Sequence, residues 1–423
     1  MGIDVKQRWS AADAYEWAKS VYAEQGVDVE AALARLGGVP LSLHCWQGDD
    51  VLGFESKDQK LTGGIQATGN YPGRARNITE LRADLDEAIS LIPGPAKVNL
   101  HTHYLDSDSP VSRDALEPQH FASWADWAVE KGYGLDFNTT FFSHPMSEAG
   151  SLTHPDKAIR EFWIEHAKRC RKISAYFGER TGQRCLLNHW VHDGAKEIPI
   201  DAVGPRERLR DALDEIIAEP IDGKLMRDSV ESKLFGIGSE AYVPGSHEFY
   251  LAYALTRQVM LTLDAGHFHP TEVISAKISA LLCFLPELLL HVSRPVRWDS
   301  DHVVLLDDET RQIMLEVVRA NALDRIAIAT DYFDASINRV AAWVIGCRNT
   351  RKALLAALLE PVAKLRELES AGDGAGVLAL RQEALTLPLG IIWDHFCETR
   401  DVPPDRAWFD RIKRYERDVL SVR

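Results

Sequence analysis

The chain has 423 residues, 45% of them hydrophobic, which is enough for a large buried core and long for one small domain. Lys and Arg total 48 against 63 Asp and Glu, and the formal charge of −15 argues against nucleic acid or an anionic membrane as a partner. No uninterrupted apolar run reaches about 18 residues, so no membrane span is expected. Met1–Trp9 lacks the apolar core of a signal peptide. The cysteines are scattered without Cys-x-x-Cys spacing, which predicts free thiols in a reducing cytoplasm rather than disulfides or structural zinc.

Residues 10–36 read as a helix capped by Ser10 and stopped at Gly37-Gly38. A short strand at 41–46 leads into a Gly-rich loop over 48–76, too long for a bare connector and suited to covering or lining a site. Strand-like runs follow at 97–101, 134–138, 185–190, 230–237, 258–264, 288–292 and 326–331, with helix-like segments such as 78–91, 156–176 and 206–218 between them. About eight strands alternating with helices predict a (β/α)8 TIM barrel, with an open doubly wound sheet as runner-up. No Gly-x-Gly-x-x-Gly follows an early strand, so a dinucleotide cofactor is not supported. Residues 1–335 are assigned to the barrel. Residues 336–423, rich in Ala and Leu, are assigned to a C-terminal helical extension used for subunit contact.

In a parallel barrel the C-terminal strand ends share one face, so residues far apart in sequence meet there. The segment His291-Val-Ser-Arg-Pro-Val-Arg-Trp-Asp299-Ser-Asp301 is the richest in chemistry. Alone, an Asp-x-Asp is more often a solvated turn than a ligand pair. The neighbouring strand ends change that balance. Glu231, Asp264, His291 and Asp331 come from four consecutive strands and could enclose a divalent ion, although Glu231 sits early in its apolar run. His267, Asp299 and Asp301 lie on loops just beyond and form a second set. Hard oxygens with one imidazole per site suit manganese, magnesium or cobalt. Lys233, two residues after Glu231, is either its ion-pair partner or a polarising ammonium facing the pocket. His101-Thr-His103 resembles the ligand pair of metal-dependent amidohydrolases, but on the second strand. His267 and His269 pose the same ambiguity, and the plain role of His269, before Pro270, is to cap or to pack. Trp46, Trp190 and Trp298 more commonly pack in a core, yet flat rings also hold the apolar side of sugars.

Five motifs carry a resemblance: Leu43-His-Cys-Trp-Gln-Gly-Asp-Asp50, Gly63-Gly-Ile-Gln-Ala-Thr-Gly-Asn-Tyr-Pro-Gly73, Val230-Glu-Ser-Lys-Leu-Phe-Gly-Ile-Gly238, Leu263-Asp-Ala-Gly-His-Phe-His-Pro-Thr-Glu272 and His291 to His302. The chain resembles the L-rhamnose isomerases of the enteric type over essentially its whole length. The resemblance implies a (β/α)8 barrel, a homotetramer and conversion of L-rhamnose to L-rhamnulose, the first step of rhamnose breakdown. It implies one catalytic manganese at His267, Asp299 and Asp301. It also implies a second, structural divalent ion (manganese, zinc or magnesium) at Glu231, Asp264, His291 and Asp331. Lys233, His101 and Asp331 are implied as catalytic, and Trp190, Lys233 and His101 as substrate contacts. Two places depart from the family pattern: His103, where an apolar residue is expected, and Asn188-His-Trp-Val-His192, which is richer in histidine. The alternatives are an aldose isomerase with another preferred sugar, a metal-dependent TIM-barrel hydrolase, and an exported sugar-binding protein.

Overall fold

The strand-forming runs close on themselves. The computed structural model describes residues 10–55, 61, 65, 67–234, 240–269, 271–296 and 298–423, with backbone alone at 298–300. Eight parallel strands form a closed barrel: β1 (Leu41–His44), β2 (Ala96–His101), β3 (Gly134–Asn138), β4 (Cys185–Trp190), β5 (Met226–Glu231), β6 (Met260–Asp264), β7 (Leu288–Val292) and β10 (Ile326–Thr330). Around the ring the order is β1-β10-β7-β6-β5-β4-β3-β2. The hairpin of β8 (Arg294–Val296) and β9 (Trp298–His302) leaves the barrel after β7 and pairs antiparallel. Asp299 and Asp301 therefore sit on a strand of this hairpin, not on a loop.

The helices between strands are α3 (Ile78–Ile89), α4 (Ala122–Lys131), α5 (Lys157–Thr181), α6 (Gly204–Ile217), α7 (His247–Arg257), α8 (Ser275–Leu282) and α9 (Asp308–Arg319), preceded by α1 (Ala11–Glu24) and α2 (Val29–Gly37). The single helix expected over 10–36 is thus two. Gly26 turns the chain at φ +78°, and the side chain of Asp28 caps the second helix by accepting from Ala31 N. Side-chain caps at Ser10, Asn77, Asp156 and Asp307 set other helix starts. After β10, α10 (Arg339–Leu358) packs against α9, α3, α2 and β1. Gly346 makes that seat possible, since a Cβ there would lie 2.1 Å from the Tyr332 hydroxyl. Then come α11 (Val362–Ser370), α12 (Gly374–Ala384), α13 (Leu389–Glu398) and α14 (Ala407–Asp418). Among the described residues no single helix is long and apolar enough to cross a membrane.

One strand differs from expectation in a way that matters. The run predicted at 230–237 is a strand ending at Glu231, because Arg227-Asp-Ser229 belongs to it despite its polarity. Asp228 is paired with Arg171 and His189, while Ser229 bonds Thr262. Glu231 is therefore a strand-end residue, like Asp264.

The barrel interior changes character with depth. Leu186, Met260, Leu289 and Ala329 form a small apolar cluster of their own. Next comes a polar layer. Asn138 donates to Asn99 at 2.7 Å, Asn188 donates to Asn138 at 3.2 Å, and Thr262 donates to Asn188 at 2.8 Å. The strand C-termini carry the acidic and imidazole groups of the site, while a buried ion pair, Lys97–Asp136, lies earlier in β2 and β3.

Candidate metal centre

Two groups of ligand-type side chains converge at the strand C-termini. Glu231, Asp264, His291 and Asp331 form one; Asp264, His267 and Asp301 form the other, with ligand atoms within 4.8 Å of one another in each. The first is the set the sequence suggests. In the second Asp264 joins His267 and Asp301, while the side chain of Asp299 lies outside the described residues, as does that of Trp298. Asp264 thus belongs to both groups.

In the first group Nδ1 of His291 faces Asp331 at 3.3 Å, Glu231 at 3.4 Å and Asp264 at 3.6 Å. Burial disfavours the charged ring, but these carboxylates win and hold its pKa well above the ordinary value. Burial likewise raises Glu231, but His291 and His267 pull its carboxyl well below the usual range. Glu231 Oε1, Asp264 Oδ2 and both ring nitrogens of His291 are buried without a hydrogen bond. The single Nδ1 proton of an imidazolium does not satisfy three carboxylates, whereas a divalent cation matches this donor set in charge and hardness. The first group therefore fits such an ion.

Neighbours orient the ligands. The Asn188 amide donates to Glu231, and Asp264 Oδ1 accepts from Gly266 N at 2.6 Å and Ser293 Oγ at 3.3 Å. In the second group His267 lies 3.1 Å from Glu231 through Nδ1 and 3.9 Å from Asp301 through Nε2.

Aromatic and cationic side chains stand beside these groups. Trp46, on a short turn after β1, donates to Asp331 Oδ1 at 3.0 Å and packs its ring edge-on to His101 at 4.7 Å. Trp190, the last residue of β4, lies 6.3 Å from the His267 ring. Lys233 is 3% exposed; its ammonium pairs with Glu240 at 2.6 Å and donates to the His192 carbonyl at 2.6 Å. Its partner is thus Glu240 rather than Glu231.

A barrel of this topology bearing these groups has a matching family. A family model described as L-rhamnose isomerase (RhaA) matches residues 9–423. The chain belongs to the L-rhamnose isomerase family. The L-rhamnose isomerases of Salmonella paratyphi B and Salmonella newport are each 58% identical over 411 residues, covering 97% of this chain and 98% of theirs. Among solved structures, an L-ribulose 3-epimerase covers 78% of this chain and 97% of its own, at 11% identity and a TM-score of 0.48.

Membership of this isomerase family removes the hydrolase and sugar-carrier alternatives from favour. Consistently, neither His101 nor His103 joins a metal group among the described residues. His101 Nδ1 lies 3.0 Å from Thr140 Oγ1, and burial lowers its pKa to about 3. His103 stacks on His101 at 5.4 Å with both nitrogens unbonded. His189 lies 3.0 Å from Asp228, and His192 lies 3.2 Å from the Ser147 carbonyl. His269 caps its own turn through Thr271. Sequence reasoning missed Asn188, Thr140 and the Trp46–Asp331 bond. Asn188 carried a faint signal, as a polar residue in mid-strand, where an apolar one is usual in a parallel sheet.

Proposed function

We propose that this chain interconverts L-rhamnose and L-rhamnulose, the opening step of rhamnose breakdown, with manganese as the metal. The two acidic–imidazole groups sharing Asp264 at the barrel mouth carry this reading, together with family membership. Glu231, Asp264, His291 and Asp331 would hold a structural divalent ion, and His267, Asp301 and Asp299 the catalytic one. Such a cation acts as a Lewis acid on neighbouring sugar oxygens and draws charge from the carbon between them.

The protein's own groups do the rest. Trp46 and Trp190 offer flat faces to the sugar. Lys233, with two donors engaged, keeps a third for the oxygen on carbon 1, where negative charge develops. His101 meets an oxygen of the ring or open chain. Hydrogen moves as a hydride: the carbon 2–hydrogen bond breaks, the pair goes to carbonyl carbon 1, and the hydroxyl proton of oxygen 2 ends on oxygen 1. Running the reaction in deuterated water separates this from an enediol, because substantial solvent label in the ketose overturns the direct shift. The working form is a homotetramer in the cytoplasm; five buried free thiols among six cysteines suit a reducing compartment.

The test is ketose formation from L-rhamnose by metal-stripped protein, with and without added manganese. Turnover restored by manganese supports the reading. Activity confined to another aldose overturns the substrate, and restoration only by another divalent ion overturns the metal.

A further inference from the structure

The hydrogen bonds around His101 decide where its proton sits. Thr140 follows β3 by two residues and is fully buried. Its Oγ1 has two partners among the described residues: it accepts from Thr102 N at 3.0 Å and lies 3.0 Å from His101 Nδ1. A threonine hydroxyl carries one proton. If His101 Nδ1 were protonated it would donate to Oγ1, and the hydroxyl proton would be buried without an acceptor. If the hydroxyl donates to Nδ1, every group is satisfied. The ring is then protonated on Nε2.

Thr140 is itself held from both sides. Its N–H donates to His166 Nε2 at 3.1 Å, and His166 Nδ1 in turn donates to the Arg113 carbonyl at 3.1 Å. The guanidinium of Arg113 donates to the Thr140 carbonyl at 2.7 Å and is fixed by Glu55 at 2.8 Å. The rings packed on His101 are Trp46, His103 and Phe142. The Glu231 carboxylate favours an imidazolium here, but burial and the Arg113 charge outweigh it. Burial keeps the imidazole neutral.

We propose that Thr140 is a positioning residue that fixes His101 as a neutral Nε2–H donor, so that His101 holds a sugar oxygen by donating a hydrogen bond and removes no proton. The sugar in this statement rests on the isomerase reading; the tautomer does not.

Two measurements test it. A neutron structure of the deuterated protein should show deuterium on His101 Nε2 and the Thr140 hydroxyl deuterium directed at Nδ1; deuterium on Nδ1 overturns the proposal. In kinetics with L-rhamnose and manganese, Thr140→Val should lower kcat/KM about 10- to 100-fold, and Thr140→Ser should restore it to within about threefold. His101→Gln, which keeps an N–H donor, should exceed His101→Leu by about tenfold or more. Equal inactivity of the Gln and Leu variants overturns the donor role, as does a Thr140→Val enzyme with unchanged kcat/KM. If the parent turns over no aldose, the isomerase reading falls, and the neutron map still decides the tautomer.

Discussion

The indole N–H of Trp46 donates to Oδ1 of Asp331 at 3.0 Å, joining residues 285 positions apart. This bond leaves the other oxygen of Asp331 facing His291 at 3.3 Å. Trp46→Phe keeps a ring beside His101 but removes the donor, and Asp331 gains freedom to rotate. Divalent-ion affinity of the stripped protein should fall about 10- to 100-fold, measured against a competing chelator. Affinity within twofold of the parent contradicts the orienting role.

Asn188 uses its whole amide in the barrel interior: the NH2 donates to Glu231 and Asn138, and the oxygen accepts from Thr262. Asn188→Leu leaves three buried polar groups short of a partner. The metal-free protein should lose about 2–4 kcal/mol in urea unfolding. A loss below about 1 kcal/mol would show that the layer rearranges around the change.

Asp49 gives the molecule a stability gradient with pH. It is 1% exposed and accepts from Gly53 N and the Tyr104 hydroxyl, both at 2.6 Å. Burial raises its pKa from 3.8 to about 7. A carboxyl with a raised folded value gives stability that is complete below its unfolded pKa and is lost as pH rises through the folded one. Its contribution should therefore fall by about 3 kcal/mol between pH 5 and pH 8. Asp49→Asn should flatten that part of the stability profile. An unchanged slope in the variant refutes the assignment.

Stripping divalent ions should lower the melting temperature, and adding manganese should raise it with concentration. At a hundredfold excess over the dissociation constant the gain is about 3 kcal/mol. Glu231→Gln should blunt the response without unfolding the barrel. A melting temperature indifferent to the ion would leave these acidic groups without the role proposed for them.

The alternation of apolar strands with helices made the barrel legible, and with it the shared face where Asp264, His291 and Asp331 meet. Glu231 was harder, because the apolar run that marks it begins where its strand ends. Arg227, Asp228 and Ser229 are in strand conformation but have polar partners in the folded state, so hydropathy alone does not reveal them. Asp299 and Asp301 were legible as a pair on extended backbone, but not as part of a hairpin leaving the barrel. The bonds that orient the site were illegible for a different reason. Trp46 meets Asp331, and His101 meets Thr140, across tens to hundreds of residues. Local periodicity carries no trace of such pairs.

Asp264 belongs to both acidic groups, which makes it a single point of control. A designer who wants to retune the metal preference of one group alone has to leave this residue untouched. The levers private to each group are Asp331 on one side and Asp301 on the other, because Glu231 also meets His267. A change at Asp264 edits both at once, so titrations of its variants will not separate into two independent binding curves.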